Sequence, residues 1–196
     1  MKKMIFYSLF LAIVANGVMA QSGQSGCTSA TTPSGNIVFF GIDYSLVRFS
    51  YIDESAANAI RTMPEINRLF ITEAKKYDVN KLMGKPVVKT DLDHVNTVTY
   101  NLSDDQVILN EDYKISVDDV NALIAKYPDS ADEGVGLVFI AENMNKKNAM
   151  GSYYVTFFDL KTREVLTTCC KTGKAGGFGM RNYWAASIYS LMKSWK

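Results

Sequence analysis

The chain has 196 residues, 47% apolar and 21% charged, with 21 basic and 20 acidic side chains and a single histidine. A formal charge of +1 excludes the long-range attraction on which nucleic-acid and anionic-membrane binding depend. One histidine and no His-Glu-x-x-His pattern exclude a multi-histidine zinc centre.

Residues 1–20 read as a secretory signal peptide. Lys2 and Lys3 form a basic head, Met4 to Val14 is almost wholly apolar, and Val18-Met19-Ala20 suits signal peptidase. The apolar run is too short to span a membrane, and no other long apolar run follows. The mature product is therefore expected to be exported, periplasmic or extracellular, with no transmembrane span. Loss of Lys2 and Lys3 leaves 19 basic and 20 acidic residues, a formal charge of −1. An alternative is lipid anchoring, because Ser25-Gly26-Cys27 resembles the end of a lipoprotein box. Gln24 stands where that box has an aliphatic residue, and a polar run separates Cys27 from the apolar segment.

Gln21 to Gly35 is a flexible lead-in rich in Ser, Gly and Thr. Order is expected from Asn36. "NIVFFGIDYSLVRFSY" reads as a strand from Ile37 to Asp43 and a second from Leu46 to Tyr51, or as one strand bent at Gly41. Asp53 to Thr62 reads as irregular or weakly helical. Pro64 then opens an amphipathic helix to Tyr77, with Ile66, Leu69, Phe70 and Tyr77 on one stripe. "KPVVKT" suggests a short strand, and Asp91 to Tyr100 a helix. Leu102 to Ile115 has turn signals but no period. Ser116 and Asp119 form a capping box for a helix that Pro128 ends.

The last third reads as a meander of "GVGLVFIAE", "SYYVTFFDL" and "EVLTTCCK", closed by a helix from Arg181 to Trp195. Trp184, Ile188, Leu191 and Trp195 share one face of that helix. The expected fold is α+β: one domain over residues 36–196, a mostly antiparallel sheet of four to six strands packed with three or four helices. Of the three cysteines, Cys169 and Cys170 are neighbours on a strand and cannot easily pair with each other. Cys27 could pair with one of them; buried free thiols are the simpler expectation.

The stretch "TGKAGGFGMRNYWA" offers the clearest candidate site. Gly176 and Gly177, with Lys174 and Arg181 for charge, could cradle an anion before the last helix. The spacing matches neither phosphate-binding glycine motif, so chain reversal and close packing are the favoured explanation of the glycines. Asp43 and Asp159 are further candidates, because each closes an otherwise apolar strand. His94 with Asp91 or Asp93 would suit a small hydrolase. The paired carboxylates elsewhere fall at turns and helix starts, where acids are expected. No cofactor motif is present, and no cofactor is expected.

The segments "FFGIDYS", "TEAKKYD", "GLVFIAE", "FFDLKTREVL" and "TGKAGGFGMRNYWA" together resemble a family of small exported proteins of Gram-negative bacteria that has no assigned activity. The resemblance spans Phe39 to Trp184. It implies a single exported α+β domain and carries over no catalytic residue. The reading that follows is a periplasmic or cell-envelope binding module without catalysis, its partner a small anion or an envelope protein. The alternatives are an envelope hydrolase using His94 and a self-assembling structural protein, a homo-oligomer.

Overall fold

The computed structural model describes residues 33–130 and 133–195. The signal-peptide reading, Cys27 and most of the lead-in lie outside them. Strand β1 (Ile37–Asp43) is buried along its whole length. Strand β2 (Arg48–Ser50) follows after one turn. Helix α1 (Ala56–Thr72) and helix α2 (Val79–Met83) come next, then strand β3 (Val87–Thr90) and helix α3 (Asp93–Tyr100). A short α4 (Asp104–Val107) leads into β4 (Ile108–Leu109), and α5 (Val117–Ile124) follows. Strands β5 (Val135–Asn145), β6 (Met150–Asp159) and β7 (Val165–Lys174) precede the last helix, α6 (Met180–Ser194).

The long strand β5 organises the sheet. Along one edge it pairs parallel with β1 through Val135 to Ile140 and with β2 through Asn143 to Asn145. Beyond these, β3 pairs parallel with β1 and β4 parallel with β2. Along its other edge β5 pairs antiparallel with β6, and β6 with β7. The expected mostly antiparallel sheet is thus corrected. The sheet has seven strands, and its central order β3-β1-β5-β2-β4 is parallel throughout. With six helices among the described residues, this is a parallel α/β-type arrangement carrying an antiparallel C-terminal extension. The physical reason lies in β1 and β5, which are apolar on both faces, as strands covered by helices on each side must be.

Alternation along β5 feeds two cores. Leu137, Phe139 and Ala141 face one cluster with α1 and α6, including Phe70, Trp184 and Ile188. Val138 and Ile140 face the other, with Val95, Val120 and Tyr127. The capping box at α5 is present: Asp119 N–H donates to Ser116 Oγ at 3.1 Å, and Ser116 N–H to Asp119 Oδ2 at 2.7 Å.

Helix α1 starts eight residues before the expected Pro64. Ser55 caps it by accepting from Asn58 N–H, and Ala59, Met63, Ile66 and Phe70 already form its buried stripe. Pro64 removes only one bond, the one to Ile60. Asn67 on this helix is fully buried. Its Oδ1 accepts from Ile42 N–H at 2.7 Å and its Nδ2 donates to Ile42 O at 2.9 Å. These bonds replace the ladder where β1 bulges against β5 between Phe39 and Ile42.

Candidate functional site

The glycine-rich stretch divides into two jobs. Gly173 sits opposite Gly151 in the β6–β7 ladder, and α6 lies directly upon that pair. A Cβ on Gly173 would stand 1.8 Å from Ser187 O, and one on Gly151 would stand 2.5 Å from Ser187 Oγ. The two glycines therefore let a helix backbone touch the sheet. Ser187 is held there by the Tyr153 hydroxyl at 2.6 Å and donates to Trp184 O at 2.7 Å. Gly177 and Gly179, with φ of 106° and 77°, turn the chain into α6.

That turn borders a cavity of about 210 Å³ lined by Gly177, Gly179, Tyr183, Asp53, Glu54 and Lys146, with Trp184 and Met180 beside them. It lies just beyond the carboxyl ends of β2 and β5, where α/β sheets commonly place their ligands. The Lys146 ammonium stands 3.4 Å from the centre of the Tyr183 ring. Tyr51, at the end of β2, has φ of 60°. For a bulky residue this is a strained backbone held by its surroundings: its N–H donates to Leu109 O and Lys147 covers its ring. Phe178, at the tip of the glycine turn, is 95% exposed.

Of the candidate site residues read from sequence, only Gly177 lines this cavity. Gly176 donates its N–H to Tyr183 O at 3.1 Å. Lys174 closes β7 opposite Met150 and is exposed. Arg181 turns along the helix surface, its Nε and Nη2 donating to Asn182 Oδ1. Asp159 lies at the far end of β6, where its Oδ1 accepts from Thr162 and Lys161 N–H groups. Those backbone bonds hold its carboxyl below the usual value. Asp43 is fully buried on the other face of the sheet. It accepts from the Tyr127 hydroxyl at 2.7 Å and from Ser45 N–H at 2.8 Å. Burial and this carboxylate push the Tyr127 phenol well above its ordinary value.

The His94 ring packs against Tyr127 at a tilt of 59°, 4.4 Å between centres. Asp91 pairs instead with Lys89 at 3.0 Å and accepts from Asp93 N–H. Burial opposes ionisation of Asp91, but these bonds outweigh it and its carboxyl is lowered. A cavity of about 290 Å³ near this cluster is lined by Asp91, Tyr127 and Asp129 but not by His94. Among the described residues, no three His, Cys, Asp or Glu side chains gather as metal ligands.

The expectation of buried free thiols is corrected at both described cysteines. Cys169 is disulfide-bonded, while Cys170 is free and exposed. The Cys170 thiol end turns toward Glu142, and burial there together with that carboxylate pushes it up to about 11. Such a thiol stays protonated and unreactive.

Lys146, Asp53 and Glu54 were not readable as partners from sequence. They lie in turns after different strands and come together only because β2 and β5 are parallel neighbours. Among the described residues, no helix is long and apolar enough to cross a membrane. No family model, curated protein or solved structure matches the chain.

Proposed function

We propose that the chain is an exported, non-catalytic binding module of the cell envelope, with its ligand site in the cavity at the start of α6. The basic head, apolar run and Ala20 of residues 1–20 support export. One observation carries the binding reading. A single cavity at the carboxyl ends of parallel strands holds a lysine, two carboxylates and an aromatic face. Asp53 and Glu54 oppose a bare anion there, so the cavity suits a small ligand bearing both charges. Its ammonium would turn to the two carboxylates and its carboxylate to Lys146, with an apolar body against Tyr183. Lys146 would exchange its place over the ring for a full ionic partner.

The test is thermal unfolding of the purified protein with free amino acids, against amine-only and carboxylate-only analogues. A ligand that binds the folded state raises Tm. The proposal predicts a rise for zwitterions that Lys146→Met abolishes. Equal shifts in Lys146→Met, or none with any zwitterion, would refute it.

A further inference from the structure

The opposite end of α6 has a different chemistry. Lys75 and Lys76 beyond the end of α1, Lys81 of α2 and Lys193 of α6 surround a cavity of about 340 Å³ walled by Tyr189 and Trp195. Each lysine alone is explained by its place near a helix C-terminus, where cations offset the dipole. The dipoles do not explain why four lysines line one hollow in a chain with almost no net charge.

Tyr189 shows how two of them are held. The Lys76 and Lys193 ammoniums stand 5.3 and 5.6 Å from the centre of its ring. Lys76 is also 5.0 Å from the Tyr77 ring, and Lys171 is 5.7 Å from the Trp195 ring. An aromatic face positions a cation without neutralising it. The carboxylates nearby do not balance the four charges. Glu73 pairs with Lys76 at 3.6 Å, and Asp78 caps α2 by accepting from Lys81 N–H at 3.0 Å. Burial works to lower the Lys76 ammonium, but Tyr77 and Glu73 outweigh it, so its net shift is upward and the charge is kept. Like charges fixed together repel, and an anion set between them relieves that repulsion.

We infer that this hollow is a phosphate site, separate from the cavity proposed above: the Lys76, Lys81 and Lys193 ammoniums hold the phosphate of an ester whose body rests on Trp195. Lysine suits phosphate as a compact point charge. The hollow is larger than one phosphate needs, which leaves room for the esterified group. The attraction is local and fades within a Debye length, about 8 Å at physiological salt. It therefore selects a ligand that docks into the hollow rather than a long polyanion.

Trp195 lines this hollow, whereas Trp184 is buried near the other end of α6. Tryptophan emission therefore reports the site when the purified protein is titrated with inorganic pyrophosphate, with Trp195→Phe as the blank. A saturable change is expected, absent in Trp195→Phe and weakened by raised salt. Two surface charge contacts of under 1 kcal/mol each make Lys81→Ala/Lys193→Ala about ten-fold weaker. Both lysines are exposed, so this variant keeps the wild-type Tm. Lys174→Ala/Arg181→Ala binds as wild type does. No saturable change, or equal affinity in the Lys81/Lys193 variant, overturns the inference.

Vesicles separate the sources of the phosphate. Sedimentation with phosphatidylglycerol vesicles but not with phosphatidylcholine alone, competed by pyrophosphate, supports the site and assigns it to a lipid headgroup. Pyrophosphate binding without vesicle binding supports it and assigns a soluble ester. Vesicle binding that pyrophosphate does not compete contradicts it.

Discussion

The two ends of α6 invite comparison. At its N-terminus, a glycine-rich turn conspicuous in the sequence encloses a small cavity with charges of both signs. At its C-terminus, about 20 Å away along the helix, four lysines with no local motif line a larger hollow to which Asp78 adds a single carboxylate. The conspicuous feature is explained mostly by backbone geometry: Gly173 admits a helix, and Gly177 and Gly179 turn the chain. The inconspicuous one carries the concentrated charge. Sequence punctuation marks where a chain must bend; charge convergence depends on which elements the fold brings side by side.

The largest expected effect tests what fixes α6 between its ends. Burial pushes the Tyr153 phenol up, against the opposing bond from Ser187, and pushes Tyr44 well above its ordinary value. Tyr127 is raised as well, on the other face. For a phenol the neutral form is the one favoured, so the folded state holds its proton at a pH where the unfolded chain releases it. Stability is therefore full below the unfolded tyrosine value of about 10 and falls as pH rises above it. Absorbance at 295 nm should show the buried tyrosines titrating only together with loss of helical circular dichroism. Independent titration beforehand would contradict the packing of α6 on β6.

Next is Gly173→Ala. The added methyl meets Ser187 O, a backbone atom that cannot swing aside. A loss of about 3 kcal/mol is expected in urea unfolding; a loss below 1 kcal/mol would remove the geometric account of this end. Ser187→Ala should cost about 1 to 2 kcal/mol, because the buried Tyr153 hydroxyl loses its 2.6 Å partner. Gly176→Ala is the smallest. Nothing lies within 4 Å of a Cβ there, so a change within about 0.5 kcal/mol is expected. The contrast between Gly173 in β7 and Gly176 in the turn, three residues apart, sharpens the division of labour within one glycine-rich stretch.

Much of the fold was legible where burial writes a period into the sequence. Ile37–Asp43 and the Ser116 capping box appear where the pattern placed them, and α6 begins one residue earlier than read. The strand directions were not legible. The β6–β7 hairpin suggested an antiparallel whole, while β3 and β4 are short edge strands with little apolar signature. Without them, nothing in the sequence shows that β1 and β2 run beside β5 in the same direction. The sites were less legible still. Gly177 was visible, but Lys146 lies in a turn and Lys193 in a helix end, and each looks like ordinary surface until the sheet and helices are assembled. Asp43 drew notice as a carboxylate ending an apolar strand. Its partner, the Tyr127 hydroxyl, is 84 residues away.

The central claim is that bare anions are held at the lysine end of α6 and not at its glycine end. Amide chemical-shift mapping during a pyrophosphate titration tests this most directly. The account predicts saturable shifts confined to residues 75–82 and 189–195, with residues 174–182 unmoved. Shifts centred on Gly176 to Arg181, with the lysine end silent, would contradict it.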